Sequence, residues 1–167
     1  SVDLSSVALL LNLGQVNTSP SFAEILTLYS LISHNWLEFT GWRHMADIRV
    51  ATIADINGIN AIYNYFVEHS NAIFDWSPRS IEDATRWFAS HDRPDRPVLV
   101  AIDQGVIAGW ASLSTVSSKK GYDITAEISV YVAPEKHRKG LGWDLVSEAL
   151  AIGESEKVHC VIARVAV

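Results

Sequence analysis

Residues 127–142 read Glu-Ile-Ser-Val-Tyr-Val-Ala-Pro-Glu-Lys-His-Arg-Lys-Gly-Leu-Gly, and this stretch decides the fold of the chain. Glu127 to Val132 is rich in β-branched and aromatic residues, which predicts a strand. Pro134 ends that strand, a cationic run follows, and two glycines open a predicted helix at about 140–152. The stretch therefore predicts a strand, a basic loop and a helix in direct succession.

A basic loop that leads into a helix N-terminus is suited to binding phosphate, because the first N–H groups of a helix have no partner within it. Gly140 and Gly142 lack the Cβ atoms that would hold a pyrophosphate away from the backbone. Leu145 stands where a dinucleotide fingerprint needs a third glycine, and Trp143 stands where a Walker loop needs lysine. The alternative is a helix that merely begins with glycine and carries basic surface residues.

This loop resembles the acetyl-CoA loop of the GNAT N-acetyltransferase superfamily, which reads Gln or Arg, two residues, Gly, one residue, then Gly or Ala. The match fails only at the first position, where this chain has His137. Further anchors in the same order resemble the phosphinothricin-acetyltransferase-like branch. They are Met45-Ala-Asp-Ile-Arg-Val, Ala61-Ile-Tyr-Asn, Ala72-Ile-Phe, Gly109-Trp-Ala-Ser, Gly121-Tyr and the strand from Glu127.

The resemblance implies an α/β protein with the GNAT fold, in which helices flank a central mixed, twisted sheet of about six to seven strands. It implies acetyl-CoA as co-substrate, no metal, and a small primary amine, such as an amino acid or an analogue, as acceptor. It also implies that the main chain of Val130, Tyr131 and Val132 binds the pantetheine arm like an added strand. The other cofactor-binding residues expected from the resemblance are His137, Arg138, Lys139, Gly140, Leu141, Gly142, Trp143 and Asp3.

Glu127 is the candidate catalytic residue. Most amines are protonated at neutral pH, so a base must take a proton before the nitrogen can attack a thioester. Glu127 lies on the strand that leads into the predicted cofactor loop, and the resemblance assigns the base to this position. The alternative is a strand-edge carboxylate in an ion pair. We expect direct attack without an acyl-enzyme, because no motif places a base beside a hydroxyl or thiol.

Two departures from the branch favour another function, that of a non-catalytic domain that binds acyl-CoA. Leu10 stands where relatives carry His or Tyr, and Val116-Ser117 replaces a Trp-Arg or Trp-Lys pair. Glu127 argues instead for an enzyme. A nucleotide-binding module is disfavoured by the missing third glycine and the missing Lys-Ser/Thr.

The order of the segments differs from that of the branch. Met45 stands where the family begins, and residues 1–44 resemble its C-terminal part, with Asp3 near an Asn used on the cofactor arm. We therefore predict a single domain over 1–167 with a circularly permuted order, in which 45–167 holds the N-terminal and acetyl-CoA-binding part. The alternative is an unrelated extension on a truncated enzyme.

Composition supports one domain with a substantial core, since 49% of the 167 residues are hydrophobic and six are tryptophan. The net charge of −6 argues against binding to nucleic acid or to an anionic membrane. The one cysteine, Cys160, excludes an internal disulfide and favours a reducing compartment, so we predict a cytoplasmic protein. Members of the branch often dimerise, which makes a homodimer possible.

Periodicity and turn residues predict the remaining elements. A helix should follow a cap at Thr52, and a second one, at about 81–90, should follow a cap at Ser80. Strands are predicted at 48–51, 98–102, 106–113 and 157–165, with an antiparallel pair at 22–32 and 36–40.

Overall fold

A five-stranded sheet forms the centre of the structure, a computed structural model in which residues 46–71 and 73–164 are described. The strands and α-helices are β1 (Asp47–Val50), α1 (Ile56–His69), α2 (Ile81–Ala89), β2 (Val98–Asp103), β3 (Val106–Thr115), β4 (Thr125–Val132), α3 (Leu141–Ser155) and β5 (Cys160–Ala163). This order confirms the predicted α/β class. The five strands of the described residues are fewer than the six to seven expected. The predicted antiparallel pair at 22–32 and 36–40 lies outside the described residues. Asp3 and Leu10 lie outside them as well.

The strands lie in the order β1-β2-β3-β4-β5, and each of the first four is antiparallel to its neighbour. Gln104 and Gly105 join β2 to β3, and their φ angles of 54° and 79° are those of a two-residue hairpin turn. β5 is parallel to β4, so the chain must cross over between them, and α3 makes that crossover. β4 therefore belongs to an antiparallel pair on one side and a parallel pair on the other.

Alternation along the strands divides the core between the two faces of the sheet. On one face, Val98, Val100 and Trp110 pack with Ile59 and Ile62 of α1. The opposite face buries another apolar set against α3, and its members are Leu99, Ala101, Ala111, Leu113, Ala126, Leu145 and Ala149. Because Glu127 alternates with Ala126, its side chain belongs to the face covered by α1 and α2.

Both predicted N-terminal caps lie at the starts of their helices. The Ser80 hydroxyl accepts a hydrogen bond from the Asp83 N–H at 3.1 Å, which caps α2. Thr52 precedes a single 3₁₀ turn that leads into α1, and its N–H donates to Asp55 Oδ2 at 2.7 Å. Arg49 donates to both oxygens of Asp55 at 2.7 and 2.8 Å and holds the pKa of that carboxyl well below its ordinary value.

A buried arginine fixes the start of β4. Arg96 is 1% exposed, and its Nη2 donates to the carbonyls of Asp123 and Thr125 at 2.9 and 3.0 Å. Its Nη1 donates to Asp95 Oδ2 at 3.0 Å, which balances the charge. Arg96 thus joins the segment before β2 to the first residues of β4, two positions before Glu127.

Gly109 is required where β3 passes close to β4. A Cβ atom at this position would lie 2.9 Å from the Tyr131 carbonyl oxygen and 3.2 Å from Leu145 Cδ1. We expect Gly109→Ala to lower the free energy of unfolding by about 1 to 3 kcal/mol, because the neighbouring strand and helix must both shift. Urea denaturation measures the change. Gly121→Ala is the control, since nothing lies within 4 Å of a Cβ there, and equal losses in the two variants would contradict the prediction.

Candidate active site

β4 has an open edge over its second half. Among the described residues, the pairing of β4 with β5 ends at Ile128 and Ala163. The Ala133 N–H donates to the Ala108 carbonyl at 2.9 Å, so alternate residues of β4 direct their main-chain groups towards β3. Val130 and Val132 therefore direct theirs to the other side, past the end of the β5 pairing. An extended ligand can add there as a strand.

Tyr131 differs from the two valines in its orientation. It lies two residues before Ala133, whose N–H donates to β3, so the main-chain groups of Tyr131 also face β3 and not the open edge. Its ring lies on the face covered by α1, with centroid distances of 4.7 Å to Trp110 and 5.8 Å to Tyr63. Burial raises the pKa of the Tyr131 phenol, which is therefore a neutral hydroxyl at neutral pH.

His137 binds the end of the open edge. Its Nε2 lies 2.8 Å from the Val132 carbonyl oxygen, and because a carbonyl only accepts, the ring nitrogen donates. The ring is also stacked on Phe66 of α1, with centroids 6.3 Å apart. His137 therefore satisfies one main-chain acceptor of the edge. Among the described residues, the Val130 groups and the Val132 N–H still face the side where a ligand could add.

The basic loop has the backbone that a phosphate cradle needs. Gly140 precedes α3 with a φ of 82°, a left-handed conformation that favours glycine, and Arg138 has a φ of 63°. A Cβ atom at Gly142 would meet only Val132 Cγ2, at 3.7 Å. Packing within the protein therefore does not require glycine at 142, whereas a ligand lying against the first turn of α3 would. The predicted residues Arg138, Gly140, Leu141, Gly142 and Trp143 all lie at this turn.

Two lysines of the loop contact the buried Asp103 at the end of β2. Lys136 Nζ lies 2.8 Å from Asp103 Oδ2, and Lys139 Nζ lies 3.9 Å from the same oxygen. Lys136 is largely buried, whereas the Lys139 side chain is 41% exposed. Lys136 therefore anchors the loop to the β2–β3 turn, and Lys139 and Arg138 are the cations that remain at the surface.

Glu127 lies in a cavity of about 430 Å³ next to the point where β4 and β5 part. The cavity is lined by Trp87, Ser90, His91, Ser114, Thr115, Glu127, Ser129 and Arg164. Arg164 Nε donates to Glu127 Oε1 at 2.7 Å, and Arg164 Nη2 donates to Oε2. The ion pair left open by the sequence is therefore present. β4 is not an edge strand at Glu127, however, because Ser114 and Ile162 flank it.

His91 and Ser114 form a hydrogen-bonded pair in the same cavity. His91 Nδ1 lies 2.8 Å from the Trp87 carbonyl oxygen and therefore donates, which leaves Nε2 to accept from the Ser114 hydroxyl at 2.9 Å. Burial lowers the pKa of His91, which favours this neutral form. Sequence motifs placed no base beside a hydroxyl, because these two residues are 23 positions apart. Only the packing of α2 against the sheet brings them together.

Arg79 adds a second cation beside this face of the sheet. Its guanidinium lies over the rings of Tyr63 and Trp87, at 4.3 and 4.7 Å from their centroids. Its Nε donates to Asn60 Oδ1 at 2.9 Å, and Tyr63 donates its hydroxyl hydrogen to Asp75. These contacts hold Arg79 against α1 and α2 and build a polar and aromatic wall next to the cavity.

Residues 46–71 and 73–164 contain no group of three or more His, Cys, Asp or Glu side chains arranged to hold a metal ion. No helix within those ranges is both long and apolar enough to cross a membrane.

Comparisons with known proteins agree with this geometry. A model of the acetyltransferase (GNAT) family matches residues 59–167. The chain is 35% identical to the L-methionine sulfoximine/L-methionine sulfone acetyltransferase of Pseudomonas paraeruginosa over 121 residues. The match covers 72% of this chain and 70% of that protein. A ribosomal-protein-alanine N-acetyltransferase structure from Brucella melitensis has a TM-score of 0.66 at 35% identity, over 69% of this chain and 71% of that one.

A third relative was solved with the co-substrate. The phosphinothricin acetyltransferase of Sinorhizobium meliloti in complex with acetyl-CoA has a TM-score of 0.64 at 29% identity, over 66% of this chain and 60% of that one. Fold and relatives together define an acyl-transferring enzyme that uses acetyl-CoA. The chain belongs to the acetyltransferase (GNAT) family.

His91 should make stability depend on pH. The folded protein resists protonation of this buried ring, whereas the unfolded chain takes up a proton near its ordinary pKa of about 6.5. The unfolded state therefore gains protons first, and stability falls as the pH drops from about 7 to about 5.5. Urea denaturation at the two pH values should show a smaller loss for His91→Gln than for the unchanged protein. The exposed His69→Gln is the control, and equal losses in all three proteins would contradict the assignment.

Proposed function

We propose that this enzyme transfers an acetyl group from acetyl-CoA to the primary amine of an amino acid or an amino-acid analogue, with Glu127 as general base. The observation that carries this proposal is that Glu127 lies in a cavity, one residue before Ile128, where the described pairing of β4 with β5 ends. Base and cofactor edge thus belong to the same short strand.

The described residues fit acetyl-CoA at two places. The open edge at Val130 and Val132 offers main-chain groups to the amide-containing pantetheine arm. The left-handed Gly140 and the space at Gly142 leave the first turn of α3 accessible to a pyrophosphate. Arg138 and Lys139 supply positive charge beside that turn. Asp3, the remaining residue expected at the cofactor, lies outside the described residues and stays a prediction.

The chemistry requires one proton acceptor in this cavity. Bound acetyl-CoA supplies the thioester, and the amine nitrogen forms the new bond to the acetyl carbon. The carbon–sulfur bond breaks with its electron pair on sulfur, and CoA leaves as a thiolate that takes a proton from solvent. Glu127 accepts the proton that the nitrogen loses, directly or through one water molecule. The Val130 N–H on the open edge is a suitable donor for the acetyl oxygen as that atom gains charge.

The relatives support the choice of acceptor. One acts on L-methionine sulfoximine and L-methionine sulfone, and another is a phosphinothricin acetyltransferase. The cavity at Glu127 is of a size for such molecules and is lined by hydroxyl groups, an imidazole and one guanidinium. A small polar amine with an anionic group suits this lining better than an apolar or polycationic amine does.

A non-catalytic acyl-CoA-binding domain is the second candidate. The observation that favours it is the two-point contact of Arg164 with Glu127, which engages both oxygens of the proposed base. A domain of this kind would bind acetyl-CoA without releasing free thiol.

Glu127→Gln separates the two candidates. Thiol release from acetyl-CoA, followed across a panel of amino acids and their sulfone and phosphinate analogues, should fall about 100-fold or more in this variant. Acetyl-CoA binding, followed by calorimetry, should stay within about twofold, because the cofactor contacts are main-chain and loop groups. Glu148→Gln on the exposed side of α3 is the matched control. Full turnover in Glu127→Gln would refute the assignment of the base, and acetyl-CoA binding without any turnover would favour the binding domain.

Gly140→Ala tests the phosphate cradle. A side chain in the left-handed region should destabilise the protein by about 1 to 2 kcal/mol and displace the N–H groups that face the pyrophosphate. We expect acetyl-CoA affinity to fall about tenfold or more. Gly105→Ala carries the same backbone strain in the β2–β3 turn, where φ is 79°. Equal affinities in the two variants would show that strain, and not the cradle, explains any change.

A further inference from the structure

Glu127 and Arg164 form an ion pair in the cavity that is proposed to bind the acceptor. Both carboxylate oxygens accept hydrogen bonds from the one guanidinium. A general base has to receive the amine proton through one of these same oxygens. The contact with Arg164 occupies one lone pair on each oxygen, so opening or turning of this contact would leave both oxygens fully accessible to the amine proton.

The two partners differ in their exposure. The Arg164 side chain is 76% exposed, whereas that of Glu127 is 19% exposed. Solvent screens such a pair, so it contributes little to stability and an incoming anion can displace one partner at small cost. A guanidinium presents two parallel N–H groups, and any carboxylate fits them in the way Glu127 does.

Arg164 is also the one cation among the described residues that line this cavity. The other members are hydroxyl residues, Trp87, Glu127 and His91, and burial of His91 favours its neutral form. Arg79 stands nearby but is stacked over Tyr63 and Trp87 and bonded to Asn60. An anionic group that enters the cavity therefore meets Arg164 first.

We propose that Arg164 binds the carboxylate of the acceptor, and that this exchange releases Glu127 to accept the amine proton. The inference rests on the proposed function and names the class of acceptor, an α-amino acid and not a simple amine or a peptide N-terminus. In an α-amino acid, one carbon separates the nitrogen from the carboxylate. A carboxylate on Arg164 consequently brings the amine next to the oxygens that it has displaced.

Arg164→Gln tests the exchange with two acceptors, L-methionine sulfone and the corresponding amine without the carboxylate. We expect kcat/KM for the amino acid to fall about 10- to 100-fold, the loss of a charge-assisted contact. For the amine, kcat/KM should stay unchanged or rise, since the variant has no guanidinium at position 164 to pair with Glu127. Arg164→Lys should restore part of the activity with the amino acid. Arg86→Gln, which removes a similarly exposed and ion-paired arginine, should change neither.

The ratio of the two kcat/KM values distinguishes recognition from a structural role. An equal fall for both acceptors would mean that Arg164 only positions Glu127, and no fall for either would mean that it does not touch the acceptor; both results overturn the proposal.

A binding measurement keeps the inference separate from the proposed function. Calorimetry with L-methionine sulfone should show binding to the unchanged protein and about tenfold or greater weakening in Arg164→Gln, even where neither protein releases thiol. Absence of turnover together with this pattern would refute the catalytic function but support carboxylate recognition. Equal binding, or no binding, in the two proteins would overturn the inference.

Discussion

In the part of the chain that the structure describes, the pairing of β4 with β5 ends at Ile128 and Ala163, and this end is the constraint on which the rest of the site depends. Unpaired main-chain groups on a strand are costly when buried and invite another chain when exposed. This protein satisfies one of them with His137, which donates to the Val132 carbonyl. Among the described residues, the Val130 groups and the Val132 N–H face the side away from β3, beyond the last β4–β5 pair. Two contacts fix the position of β4. Arg96 donates to the Thr125 carbonyl at the start of the strand, and the Tyr131 carbonyl near its end lies close to Gly109 of β3.

Alternation along β4 directs its main-chain groups and its two sets of side chains to three different sides of the strand. Even-numbered residues direct main-chain groups to the open edge, whereas the side chains of Glu127, Ser129 and Tyr131 belong to the face covered by α1 and α2. The opposite face packs on α3, whose first turn is the phosphate cradle proposed above. A ligand on the edge would therefore have the proposed base, Glu127, on one side and the start of α3 on the other. One strand would thereby connect the proposed base with the proposed cofactor site.

Local signals predicted the strand, loop and helix of residues 127–142 and placed Glu127 on the strand that leads into the loop. The ligand-binding edge at residues 130–132 was implied by the family resemblance, and the left-handed conformation of Gly140 was not predicted. Local signals could not predict the partners of Glu127. Arg164 is 37 residues from Glu127, and the two meet because the crossover through α3 sets Ile162 beside Glu127. Arg164 lies two residues after Ile162, so strand alternation places its side chain on the same face of the sheet as that of Ile162. This alternation is the sequence signal that could have paired Arg164 with Glu127. His91 has no local signal, since its partner Ser114 depends on how α2 packs.

Two ion pairs of similar geometry have different tasks in this chain. Asp55 accepts from Arg49 and also from the N–H and hydroxyl of Thr52, and its side chain is 10% exposed. If a ligand displaced Asp55, the N–H and hydroxyl of Thr52 would lose their acceptor, so the Arg49–Asp55 ion pair is structural. Arg164 reaches solvent from a β-strand end and holds only Glu127 among the hydrogen bonds described for it. A pair that is exposed on its cationic side can exchange partners, and this asymmetry suits the roles proposed above for Glu127 and Arg164.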